Sequence, residues 1–149
     1  MGEVRDLRSA ASVRRRDAGA LDDELTLRAE RTASRTARHW VMRTVADAGV
    51  GGSVNQVVEL LTAELVSNAV VHGPDGGAVR VGVRVSNGTV RVEVGDEGGG
   101  SPRVRHPEPT ATSGRGLALV EALSETWGTQ PRGPRGEGKV VWFEVRVDE

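Results

Sequence analysis

The sequence predicts an α+β two-layer sandwich in which a mixed, mostly antiparallel sheet is covered on one face by three helices. Three features point that way. Two alternating runs, Val79-Val81-Val83-Val85 and Val90-Val92-Val94, flank an Asn87-Gly88 pair and read as a β-hairpin with a tight turn. Two stretches with helical apolar spacing precede this hairpin, and a third follows it. Another alternating run, Val141, Phe143, Val145 and Val147, lies near the end of the sequence, so a strand–helix–helix–hairpin order replaces strict βαβ alternation.

Taken in order, residues 1–23 are polar and poor in large apolar side chains, with Arg14, Arg15 and Arg16 in a row. A flexible solvated tail is expected there, and the folded domain is expected over 24–149. Glu24 to Arg28 alternates weakly through Leu25 and Leu27, as a short edge strand would. A helix is expected from a Thr32 or Ser34 cap to about Ala48, with Ala37, Trp40, Val41, Thr44 and Val45 on one side. Gly49, Gly51 and Gly52 break it, and Ser53 is expected to cap a second helix running to about His72. After the hairpin, residues 95–113 are irregular and rich in Gly and Pro. A third helix is expected over Arg115 to Leu123, then strands at about 125–129 and 139–147.

Composition narrows the function classes. The chain has 149 residues, a formal net charge of −1 and 28% charged residues, a balance that does not suit a general nucleic-acid binder or a membrane-surface protein. It has no cysteine, which excludes disulfides, thiolate metal sites and a cysteine nucleophile. No run has the length of a membrane span and the first thirty residues hold no signal-like apolar stretch, so the cytoplasm is the expected compartment. Glycine reaches 20 residues and clusters at 95–100, 114–116 and 133–138; the first two clusters follow or open a regular element, where backbone must approach a ligand or adopt unusual φ, and the third reads as a flexible hairpin loop.

Three places carry candidate chemistry. On the second helix, plotted at about 100° per residue, Val54, Val57, Val58, Leu61, Leu65 and Val71 share a face, with Gln56, Glu59, Thr62, Ala63 and Ser67 mostly opposite. Glu64 and Asn68 fall inside the apolar arc. A carboxylate and an amide aimed at a core need partners. An internal hydrogen-bond network and a ligand role explain them equally well from this helix alone. Asp96 ends a strand and opens Asp96-Glu97-Gly98-Gly99-Gly100. Such a carboxylate can accept from an exocyclic amine while the glycines let backbone approach a flat ring, though Asp and Gly also make ordinary turns. Gly114-Arg115-Gly116-Leu117 opens a helix whose N-terminal N–H groups and dipole suit phosphate. No Gly-Lys-Ser/Thr ending is present, so it is not a P-loop.

The order of these three elements resembles the Bergerat-fold (GHKL) ATPases, the superfamily of gyrase B, heat-shock chaperone, histidine-kinase and mismatch-repair ATPase domains. Within it, Glu64-Leu-Val-Ser-Asn68-Ala-Val-Val-His72-Gly73 is similar to the N box of the anti-sigma-factor serine/threonine kinases. Gly114-Arg-Gly-Leu117, Trp127-Gly128 and Val140-Val-Trp-Phe143 add to the likeness, which extends over about residues 24–147. The resemblance implies that Asn68 coordinates Mg²⁺ on the phosphates of ATP and that Glu64 is the general base toward the attacking hydroxyl. It implies that Asp96 binds the adenine amine with clearance from Gly98 and Gly100, and that Gly114 and Gly116 line the phosphates. Arg115, between those glycines, stands where some relatives carry an apolar residue; a phosphate contact and a solvent-facing position both remain open. Glu97, directly after Asp96, needs solvent or a basic neighbour.

The function implied is an ATP-binding anti-sigma factor and kinase that sequesters a sigma factor and phosphorylates a serine on an antagonist protein. Relatives of this kind suggest a homodimer. The alternative is a non-catalytic, ATP-dependent binding module. An isolated histidine-kinase catalytic domain ranks lower, since its dimerisation segment needs a phospho-acceptor histidine and only His39, in a short helix, lies upstream.

Overall fold

Antiparallel pairing organises the described strands. The computed structural model describes residues 12–15, 21–74, 76–97, 115–132 and 138–147. In chain order the elements are β1 (Ser12–Arg15), β2 (Leu21–Arg28), α1 (Ala33–Asp47), α2 (Gly52–His72), β3 (Ala78–Ser86), β4 (Thr89–Asp96), α3 (Arg115–Leu123), β5 (Thr126–Pro131) and β6 (Lys139–Arg146). The six strands form one sheet in the order β1-β2-β3-β4-β6-β5.

The expected α+β sandwich is present, with two differences. Every described pairing is antiparallel, where a mixed sheet was expected. The reason lies in the connections. Two helices between β2 and β3 return the chain to the end it left, so β3 runs back beside β2. The single helix after β4 does make β5 parallel to β4, but β6 inserts between them and pairs antiparallel with both. Second, the sheet begins inside the stretch expected to be a tail. β2 starts at Leu21, and β1 covers its outer edge with Arg14 in register with Glu24 and Arg15 with Asp23. Segment 24–28 is therefore an interior strand.

The hairpin between β3 and β4 turns on Asn87 and Gly88, with φ of 53° and 74°. Two successive positive φ values belong to the turn whose twist matches a right-handed strand pair. Alternation then sends Val79, Val81, Val83, Val90, Val92, Val94, Val141, Phe143 and Val145 inward, all buried. They lie in rows across the sheet, for example Leu25–Val81–Val94–Val141. α1 buries Ala33, Ala37, Val41, Thr44 and Val45, close to the expected face.

Capping departs from expectation. Thr32 holds the N-cap position of α1 without a side-chain hydrogen bond, while Ser34 Oγ donates to the Ala63 carbonyl of α2 at 3.0 Å. Gly51, not Ser53, is the N-cap of α2. The helix pair is instead tied by Asn55, which is buried and whose Nδ2 donates to the carbonyls of Met42 and Val50 at 3.1 and 3.0 Å. One side-chain amide has two N–H donors, so it can hold a carbonyl of α1 and a carbonyl of the connection between the helices at once. Among the described residues, no helix is long and apolar enough to cross a membrane.

Candidate functional site

The buried stripe of α2 comprises Asn55, Val58, Leu61, Thr62, Leu65, Val66 and Ala69. This is rotated from the sequence-predicted face: Thr62 is fully buried, whereas Val71 is 69% exposed. A helix packed between a sheet and two neighbouring helices buries a broad arc, which a single apolar stripe underestimates. Glu64 and Asn68 are half-buried at the border of that arc, and not inside the core. Neither side chain is thus forced into apolar surroundings, and both keep access to solvent or a ligand.

Asp96 is the last residue of β4 and points inward beneath the end of α2. It is buried. A Cβ placed on Gly73, just past α2, would lie 3.6 Å from Asp96 Cβ and Cγ, so the helix terminus sits directly over this carboxylate. Asn68 and Glu64 lie five and nine residues back along the same helix, roughly 8 and 14 Å at about 1.5 Å per residue. Gly138 closes the other side. A side chain there would collide with the Asp96 carbonyl oxygen, so only glycine allows the backbone this close. Lys139 is the register partner of Asp96, and its Nζ donates to Asp96 Oδ1 at 3.1 Å. Glu97 is exposed, so solvent meets its charge. His72, the final residue of α2, is exposed as well.

α3 starts at Arg115, buries Leu117 and Val120, and packs against α2 and β5. Its N-terminus therefore belongs to the same helical layer as Glu64 and Asn68. Gly98, Gly100 and Gly114 lie outside the described residues, as do the side chain of Arg115 and the surroundings of Gly116.

Lys139 was not among the residues singled out from sequence. The signal was available: extending the inward alternation of Phe143 and Val141 back two residues lands on Lys139. Conversely, two motifs of the resemblance prove structural. A Cβ at Gly128 would come within 2.7 Å of the Trp142 ring, and the Arg91 guanidinium carbon stands 4.1 Å from that ring's centroid. Trp127-Gly128 and Trp142-Phe143 thus shape the sheet rather than the site.

The ends of β4 and β6, an acid, two glycines and the terminus of α2 thus meet in one place, an arrangement able to take a nucleotide. More specifically, residues 27–145 match the model of the histidine kinase-like ATPase domain, and the chain belongs to that family. Membership implies ATP as the ligand. Among solved structures, that of the RsbU and RsbW domains of Rv1364c from Mycobacterium tuberculosis is 25% identical, with a TM-score of 0.64. The match covers 85% of this chain and 33% of that one, so this chain spans about a third of that protein's length. The catalytic domain of the histidine kinase ThkA is 19% identical over 76% of this chain and 88% of its own, at a TM-score of 0.49. No curated protein matches.

Proposed function

We propose that the chain is an anti-sigma factor and protein serine/threonine kinase that binds Mg-ATP, sequesters a sigma factor and phosphorylates an antagonist protein. One observation carries this reading: Glu64, a half-buried carboxylate, shares one side of α2 with Asn68, and that helix ends over Asp96. A protein that merely binds nucleotide has no use for a carboxylate there, because a negative charge beside phosphates opposes binding. The N-box likeness and the 25% identity to a chain with an RsbW domain support the same choice.

The residues fit such a ligand. Asp96 offers a fixed, buried acceptor for the adenine amine. Asn68 offers a neutral oxygen, the hard donor that Mg²⁺ accepts, and a metal that keeps waters and phosphates needs few protein ligands. Mg-ATP would supply the transferable phosphoryl group. Glu64 would take the proton of the attacking serine hydroxyl, while Gly114, Gly116 and Arg115 at the start of α3 would face the phosphates. Such transfer depends on positioning and charge neutralisation more than on covalent chemistry by the protein.

The test is phosphate incorporation into candidate serine-bearing antagonist domains, run beside nucleotide titration of the same preparations. Glu64→Ala should keep ATP affinity and lower turnover by about 10²–10⁴-fold, the usual worth of a positioned base. Wild type that binds a partner in an ATP-dependent way but transfers no phosphate would make the protein a switch. For the metal, EDTA should weaken ATP binding by wild type and leave Asn68→Ala indifferent. Equal EDTA sensitivity in the two proteins would remove Asn68 from the metal.

A further inference from the structure

Lysine is among the residues least often buried, yet Lys139 and Asp96 have side chains only 12% and 6% exposed. Nothing in the strand requires this. Position 140, one residue on, faces outward, and the outward face of the sheet already carries Arg84, Arg91 and Arg146 close to water. Stability is a poor explanation too, since a buried ion pair is often no better than an apolar pair of the same volume. The pair also sits at one end of the sheet, closed in by Gly138 on one side and the end of α2 on the other. An expensive pair held at the place where a base is expected calls for a role in reading it.

We infer that Lys139 is a positioning and specificity-determining residue of the base subsite, an inference that rests on the proposed placement of the adenine against Asp96. Its ammonium fixes the plane of the Asp96 carboxylate through Oδ1 and sets a donor beside that acceptor. Adenine presents the complement: a 6-amino donor next to the N1 acceptor. Guanine reverses the order, with a carbonyl at position 6 and an N–H at position 1, so its carbonyl would face the carboxylate. Lys139 has three donors, enough to hold Asp96 and meet N1 together. The acceptor–donor pair would thereby read both atoms of the adenine edge, where a lone aspartate reads one.

Titration calorimetry with ATP and 1-deaza-ATP, in which a C–H replaces N1, tests this without any turnover. Wild type should bind 1-deaza-ATP about 10–100-fold more weakly than ATP, the range for one hydrogen bond to a charged group. Lys139→Met should weaken ATP by a similar factor and bind the two nucleotides alike. Lys139→Arg, which keeps a cationic donor, should retain part of the preference. Equal binding of ATP and 1-deaza-ATP by wild type overturns the inference even if the methionine variant fails to fold. An unchanged preference in a folded Lys139→Met protein overturns it too, while leaving the ATP reading intact. Wild type that binds no ATP at all overturns both together.

Discussion

The two faces of the sheet use charge in opposite ways. On the outward face, Arg84 pairs with Asp22 at 3.0 Å, and Arg91 reaches Glu93 and Glu144, each at 2.9 Å, while lying over Trp142. Burial works against the Arg91 charge, but hydrogen bonds to Glu93 and Glu144 outweigh it and raise its pKa. Arg91 therefore stays cationic throughout the working range. On the inward face, the charged positions of β2, β3, β4 and β6 are Asp23, Asp96 and Lys139, among valines, leucines and Phe143. Outward charges neutralise one another along a wet surface. The inward pair gathers at the strand ends beneath α2.

Three substitutions would break or sharpen that contrast. Phe143→Ala removes the largest fully buried side chain of the inward face. It should cost about 3–5 kcal/mol, read as a large fall in the denaturation midpoint. A loss below 1 kcal/mol would mean that the face tolerates cavities and is no rigid floor for a site. Asp96→Ala should abolish ATP binding with the fold preserved, checked by calorimetry beside circular dichroism. Wild type that binds GTP as tightly as ATP would remove the adenine assignment. Arg91→Met should cost about 1 kcal/mol or less, the scale of partly exposed ion pairs, and leave ATP affinity unchanged. A changed affinity would show that the outward network is coupled to the site.

Much of this was legible in the sequence, for physical reasons that differ by element. Strand β3, strand β4 and their turn follow from valine alternation around Asn87-Gly88, where local chemistry and burial agree. Helix α3 matched its expected span because Leu117 and Val120 sit at helical spacing after a glycine. Strand β1 was missed since Ser12–Arg15 has no apolar alternation to declare it; its pairing is visible only against Asp23 and Glu24 of β2. The α2 face was misjudged at Thr62 and Val71, because hydrophobicity ranks residues while packing selects positions. Glu64, Asn68 and Asp96 were singled out as candidates by motif. Lys139 was not, since a lysine opening a strand reads as a solvated end until its partner across the sheet is known.

The position of β6 has a bearing on how the molecule comes into being. It is last in the chain among the described strands, yet it lies in the sheet's interior, between β4 and β5. A ribosome therefore releases β4 with one side unpaired and its valines uncovered on that flank until residues 139–146 emerge. Asp96, too, waits for Lys139, made more than forty residues later. Contacts of such long sequence separation form late and cooperatively. The nascent protein thus acquires its completed sheet and its Asp96–Lys139 pair in one event, and a half-made copy would hold neither.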